Sequence, residues 1–119
     1  MNMALKSTIR DKIKTIEEIR GIVGIFPRSR KVIMCHGVFD IVHPGHMRHL
    51  MFAKEHADIL IASLTADEHI NKANIRPYVP EKLRALNLAA FEMVDYVVID
   101  RDPTALSNIK YLQPDYYAK

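Results

Sequence analysis

The chain has 119 residues, 49% apolar and 26% charged, with four glycines and six prolines, which excludes a disordered, collagen-like or low-complexity chain and fits one globular domain. No run approaches the roughly 18 consecutive apolar residues of a membrane span, and charges in MNMALKSTIRDKIK fall where a secretion signal needs its apolar segment, so a cytoplasmic protein with no membrane partner is expected. Lys and Arg total 17 against 14 Asp and Glu, an excess too small to indicate nucleic-acid binding but compatible with a small anionic ligand.

A short helix is expected around Ile9 and Ile13. A firmer one starts at Thr15, which stands three residues before Glu18 with capping-box spacing. Ile16, Ile19, Val23 and Phe26 give it one apolar face, and Gly24 and Pro27 end it. Lys31 to Gly37 (KVIMCHG) is a continuous apolar run that predicts a strand buried on both faces. Cys35, the one cysteine, permits no intrachain disulfide or cysteine-based zinc site and reads as a small core residue. A helix follows from Pro44, suited to a first-turn position, to about His56, with Met47, Leu50, Met51 and Ala53 as its apolar face.

Asp58 to Leu64 (DILIASL) predicts a second buried strand. Thr65 and Glu68 repeat the capping spacing and predict a short helix toward Lys72. The stretch from Ala73 to Val79 reads as a loop because Pro77 and Pro80 disfavour helix. From Pro80 to about Met93 a helix is expected, with Leu83, Leu86 and Ala90 on one face. Asp95 to Ile99 predicts a third strand, Asp102-Pro103 a cap and first turn for a helix to about Leu112, and Asp115 to Lys119 a fourth strand. Alternating strands and helices predict an α/β fold, a three-layer Rossmann-like parallel sheet covered on both faces. Such sheets bind ligands beyond the C-terminal ends of their strands.

That position is occupied by His43-Pro44-Gly45-His46, between the first strand and its helix. Neither G-x-G-x-x-G nor a P-loop occurs. Two imidazoles three residues apart at a helix start can donate to phosphate oxygens, Gly45 permits close backbone approach, and the helix N-terminus favours negative charge. Alone, the same histidines read equally well as capping or solvated side chains. His36, His43, His46 and His49 also suggest a metal cluster, but no carboxylate-and-histidine metal signature accompanies them, so no protein metal site is expected. His56 and His69 carry no signal of their own.

His36-Gly37-Val38-Phe39-Asp40 followed by His43-Pro44-Gly45-His46 resembles the H-x-G-H signature of the cytidylyltransferase-like nucleotidyltransferases. Within that family the chain is most similar to bacterial heptose 1-phosphate adenylyltransferases of lipopolysaccharide core synthesis, and next to glycerol-3-phosphate cytidylyltransferases. The likeness runs from about Lys14 through Lys72-Ala73-Asn74-Ile75-Arg76-Pro77, Arg84-Ala85, Leu88-Ala89-Ala90, Val94-Asp95-Tyr96-Val97-Val98 and Gln113-Pro114-Asp115. His36 stands where the heptose enzymes usually carry Asn, and Ala73 where they carry Gly.

The resemblance implies transfer of a nucleotidyl group, expected to be AMP from ATP, to a sugar or polyol phosphate, with release of pyrophosphate. His43, His46 and Lys72 are the implied catalytic residues. Gly37, Val38, Phe39, Asp40, Gly45, Arg76 and Arg84 are the implied nucleotide- and phosphate-binding ones. Asp40 serves the metal or the motif loop, or closes the strand as an Asx turn. Mg²⁺ is expected to arrive with the triphosphate, and a homodimer is implied. The alternatives are cytidylyl transfer from CTP to glycerol 3-phosphate or a related polyol phosphate, or a non-catalytic nucleotide-binding module. An aminoacyl-tRNA synthetase fragment fits less well, because nothing resembles an anticodon-binding region. In the resembling enzymes a later C-terminal segment contacts the triphosphate; these 119 residues contain no such segment and are expected to fold but turn over slowly.

Overall fold

The computed structural model describes residues 8–70 and 79–119. Strands β1 (Val32–Gly37), β2 (Ile59–Thr65), β3 (Tyr96–Asp100) and β4 (Tyr116–Ala118) form one parallel sheet in the order β3-β2-β1-β4. Each lies within about two residues of its expected position. The strand order reverses at β1, so the crevice where an open α/β sheet takes its ligand opens at the C-terminal end of that strand.

The apolar runs divide between the two faces because strand side chains alternate. Val32, Met34, Ile59, Ile61 and Val98 meet Ile16, Ile19 and Val23 of helix α1 (Ile16–Val23). Leu112 of helix α4 (Leu106–Leu112) closes that layer. Ile33, Cys35, Leu60, Ala62 and Leu64 face the other way. They pack on Leu50 and Ala53 of helix α2 (Pro44–Glu55) and on Ala85, Leu88 and Ala89 of helix α3 (Glu81–Ala89). Burial pushes the Cys35 thiol up to about 11, as befits a core residue. Among the described residues no helix is long and apolar enough to cross a membrane.

Several local expectations are corrected by packing. The Thr15 capping box forms in both directions, but α1 stops at Val23 with Gly24 at φ 87°, leaving Phe26 outside the helix and exposed. Residues 8–10 are helical, whereas Ile13 bridges Val97 and extends the sheet beyond β3. Met47 and Met51 are exposed; Leu50 and Ala53 alone of the expected α2 face are buried. Thr65 belongs to β2 and caps nothing, and a single 3₁₀ turn (Asp67–His69) replaces the expected helix. Helix α3 ends at Ala89 and buries Arg84, Ala85, Leu88 and Ala89, so its inner face is rotated away from Leu83 and Ala90. Helix α4 starts at Leu106, and Asp102 does not cap it.

At the N-terminal end of the sheet two aspartates hold neighbouring strands. Asp95 accepts from the Leu60 N–H (2.8 Å) and the Lys54 ammonium (2.6 Å). Asp115 accepts from the Val32 N–H (2.8 Å) and the Arg28 guanidinium (3.1 Å), with both side chains of that ion pair nearly buried. Arg28 also donates to the Gly24, Leu112 and Gln113 carbonyls, so Asp115 neutralises a cation that ties α1 to the end of α4. Removing one partner of such a pair strands the other charge. Asp115→Ala should therefore destabilise the fold by about 3 kcal/mol, read as a lower urea midpoint; an unchanged midpoint would show that the pair does not hold β4 to β1.

Candidate active site at the C-terminal ends of the strands

Beyond β1 the backbone turns sharply. Phe39 adopts φ 52°, a left-handed conformation costly for a bulky residue, and its ring is buried. The ring lies over Gly37, where an added Cβ would come within 3.3 Å of it, and tilts against His46 with 5.6 Å between ring centroids. A side chain at Gly37 would therefore crowd the phenyl ring, which would have to give by a few tenths of an ångström. Asp40 is buried and accepts from the Val79 N–H (2.9 Å), joining the motif loop to the start of α3.

Helix α2 begins with a capping box made from two histidines. His43 Nδ1 accepts from the Gly45 N–H (3.0 Å), and His46 Nδ1 accepts from the His43 N–H (3.3 Å). A backbone N–H can only donate, so each Nδ1 must be unprotonated and each neutral ring carries its proton on Nε2. The two rings lie 4.0 Å apart. Burial, then electrostatic repulsion from the neighbouring imidazoles of His43 and His49, holds the His46 imidazole below its ordinary value, which favours the neutral ring at pH 7. The His46 capping contact is therefore intact at and above the ordinary imidazole range and is lost only as pH falls through the lower value of the folded protein.

His43, Gly45, His46 and His49 line a cleft of about 280 Å³ with His36, Gly37, Val38 and Phe39. A second cleft of about 580 Å³ adjoins it. His36, Gly37, Val38 and Lys119 line both, and the second adds Thr65, His69, Thr104 and Tyr117. One compartment is thus rich in imidazole and the other in hydroxyl groups, with His36 on the shared wall. The sequence marks His36 as the start of the motif, as a departure from the family pattern and as part of a possible histidine cluster, gives His69 no signal, and does not single out Thr104, Tyr117 or Lys119. Their common signal is position, since all of them lie at or just beyond the C-terminal end of a strand.

Arg84, implied by the resemblance as a phosphate-binding residue, points into the protein interior. Its side chain is fully buried. Nε donates to the Val79 carbonyl (2.9 Å), one terminal nitrogen to the Val38 and Thr65 carbonyls (2.8 and 2.7 Å), and the other to Asp67 (2.6 Å). One guanidinium therefore fixes the backbone after β1, the end of β2 and the residue before α3. Asp67 and Glu81 reinforce this by accepting from each other's backbone N–H (3.2 and 3.0 Å). Arg101 pairs with Glu81. Lys72 and Arg76 lie outside the described residues.

The motif glycine has a specific spatial task. A Cβ on Gly45 would stand 2.7 Å from His43 Cε1 and 3.0 Å from its Nδ1, the atom that accepts the Gly45 N–H. Gly45→Ala should leave the fold intact while displacing the His43 ring. Imidazole ¹⁵N shifts check this, and an unmoved ring would show that the close approach is unimportant.

Residues 34–119 match the sequence family described as cytidylyltransferase-like. The chain is 41% identical over 117 residues to the bifunctional protein HldE of Sulfurimonas denitrificans, covering 96% of this chain and 24% of that protein. It is also 41% identical over 110 residues to HldE of Campylobacter jejuni, covering 91% and 23%. The chain thus spans about a quarter of the length of these relatives. Its fold superposes with a TM-score of 0.67 on a lipopolysaccharide core biosynthesis protein from Thermoplasma volcanium, at 24% identity, with 75% of this chain and 73% of that one covered. The match spans most of the chain, including the motif strand, the histidine-capped helix and all three strands that follow them, and the chain belongs to the cytidylyltransferase-like family.

Proposed function

We propose that this domain is a nucleotidyltransferase that moves AMP from ATP to a sugar phosphate such as heptose 1-phosphate, releasing pyrophosphate. The observation that carries the reading is the histidine capping box. It uses both Nδ1 atoms as acceptors and so leaves two Nε2–H donors in the cleft the rings line. The relatives named HldE and the adjoining hydroxyl-lined cleft support a sugar phosphate as acceptor.

In this reading the triphosphate lies along the imidazole-lined cleft at the start of α2, where the helix dipole favours anions. An oxygen of the acceptor phosphate, itself an anion needing no general base, attacks the α-phosphorus. The bond from the α-phosphorus to the bridging oxygen breaks, and pyrophosphate leaves with that oxygen and its electron pair. His43 and His46 donate to the phosphoryl oxygens on which charge builds. Gly37, Val38, Phe39 and Gly45 shape the backbone against the phosphates. Lys72 and Arg76 neutralise the attacking and leaving phosphates. The segment that carries them runs between Ile70, on the wall of the hydroxyl cleft, and Val79, hydrogen-bonded to Asp40. Arg84 and Asp40 act as positioning residues for these loops.

Mg²⁺ fits as a companion of the triphosphate, screening its charge. Neither cleft is lined by a carboxylate, and the described residues contain no group of three His, Cys, Asp or Glu able to hold a metal ion. The ion's ligands would therefore be phosphate oxygens and water. A dimeric assembly and a cytoplasmic location accompany this reading.

His46→Ala should leave the fold stable and lower pyrophosphate release by roughly 10²-fold, the scale of losing one donor to a developing oxyanion. Full activity in a folded variant would remove His46 from the mechanism. Pyrophosphate release is best assayed over ATP and CTP, each with heptose 1-phosphate and glycerol 3-phosphate. Release with ATP and the heptose ester supports the proposal. Release with CTP and glycerol 3-phosphate replaces it with cytidylyl transfer, and nucleotide binding without release across the panel replaces it with a binding module.

A further inference from the structure

The face of the sheet that carries Met34 and Ile61 becomes polar at its C-terminal end. There the imidazole of His36 lies between two hydroxyl groups of β2. Nδ1 is 2.8 Å from the Ser63 hydroxyl and Nε2 is 3.3 Å from the Thr65 hydroxyl. The three side chains share one face because His36 is aligned with Ser63, and strand side chains two residues apart point the same way. Ser63 is fully buried and lines neither cleft. His36 stands on the wall common to both clefts, and Thr65 lines the hydroxyl-rich one.

The direction of each hydrogen bond in this row is fixed from its buried end. Among the described residues the Ser63 hydroxyl has no partner other than His36 Nδ1. A proton on Nδ1 would oblige the Ser63 oxygen to accept it, leaving the hydroxyl's own proton in the core without an acceptor, which is costly. Ser63 therefore donates to Nδ1. Burial holds the imidazole below its ordinary value, which favours the neutral ring, so its one proton sits on Nε2. Nε2–H in turn donates to the Thr65 oxygen. The Thr65 proton is left over, with no acceptor among the described residues. Arg84 holds the carbonyl of the same residue at 2.7 Å, so both its main chain and its hydroxyl oxygen are fixed.

We propose that Thr65 is a binding residue for the sugar phosphate, giving its hydroxyl proton to a lone-pair oxygen of that ligand, and that Ser63 and His36 are positioning residues that turn this proton toward the cleft. No covalent bond forms or breaks, and no proton is taken up or released. The row makes Thr65 a donor already set in direction, so little ordering is lost when a ligand arrives. Phosphate oxygens, which only accept, match it. This inference rests on the reading of the clefts given above, in which the acceptor occupies the hydroxyl-lined one.

The test uses the 119-residue chain, with heptose 1-phosphate as the probe and Mg-ATP as a control. Before any ligand is added, the ¹⁵N signals of His36 should show the tautomer protonated on Nε2. Ser63→Ala should let the form protonated on Nδ1 appear. In calorimetry Thr65→Val should weaken heptose 1-phosphate by about tenfold, the scale of one hydrogen bond to a charged group, and leave Mg-ATP unchanged. Thr65→Ser keeps the hydroxyl and should restore the affinity. Ser63→Ala touches neither cleft, yet should weaken the ester and not Mg-ATP, a split that a merely structural role would not give. A ring protonated on Nδ1 in the free wild type overturns the row. Unchanged ester affinity in Thr65→Val, or equal losses for the ester and Mg-ATP, overturns the role of Thr65. Either result leaves the nucleotidyltransferase reading intact. Binding of Mg-ATP without the ester also overturns the inference, and binding of neither overturns the reading of the clefts as well.

Discussion

A buried guanidinium has to find acceptors for its N–H groups, and in this protein Arg84 finds them on three different segments of backbone. The carbonyls of Val38, Thr65 and Val79 and the carboxylate of Asp67 converge on it from the motif loop, the end of β2 and the approach to α3. The cation and the loops therefore depend on each other. Breaking the arrangement would leave a desolvated charge and loose backbone groups together. The walls of both clefts inherit their positions from this contact, because Val38 and Thr65 are themselves lining residues.

The histidine-capped helix shows how one hydrogen-bonding pattern serves folding and chemistry together. Ser or Asp at a helix start would satisfy the same backbone donors and present no N–H to a ligand. Imidazole has two nitrogens. Engaging Nδ1 in the cap orients the ring and leaves Nε2 as a donor of known direction in the tautomer. The cost is local. Phe39 is held at positive φ, and burial beside the His43 ring disfavours protonation of His46. A phosphate site built this way contributes hydrogen-bond donors with little net positive charge, and cations must come from other segments.

Apolar at its base and centre, the sheet turns polar only where the strands end. That change is abrupt on one face, where Met34 is followed two residues later by His36, and Val98 by Asp100. Strand alternation puts these polar residues in line with core positions, so Asp100 is fully buried and His36 is half-buried where it reaches the crevice. Partial desolvation is the reason the imidazole and carboxyl move from their ordinary behaviour, and it links the hydrophobic core directly to the electrostatics of the clefts.

Short-range physics made much of this protein legible in its sequence. Continuous apolar runs marked β1 and β2, Thr15 and Glu18 marked a helix start, and G-x-F-D before H-x-G-H marked the turn and helix start that the two histidines share at the crevice. Each of these signals concerns residues within a few positions of one another. Which helix face turns inward is different, because Arg84 takes an interior position that polarity alone assigns to solvent, and only the carbonyls assembled around it make that burial affordable. The gathering of His36, Thr65 and Tyr117 around one cleft also belongs to tertiary structure. It requires β2 and β4 to flank β1, an order set by how the apolar faces pack and invisible along the chain.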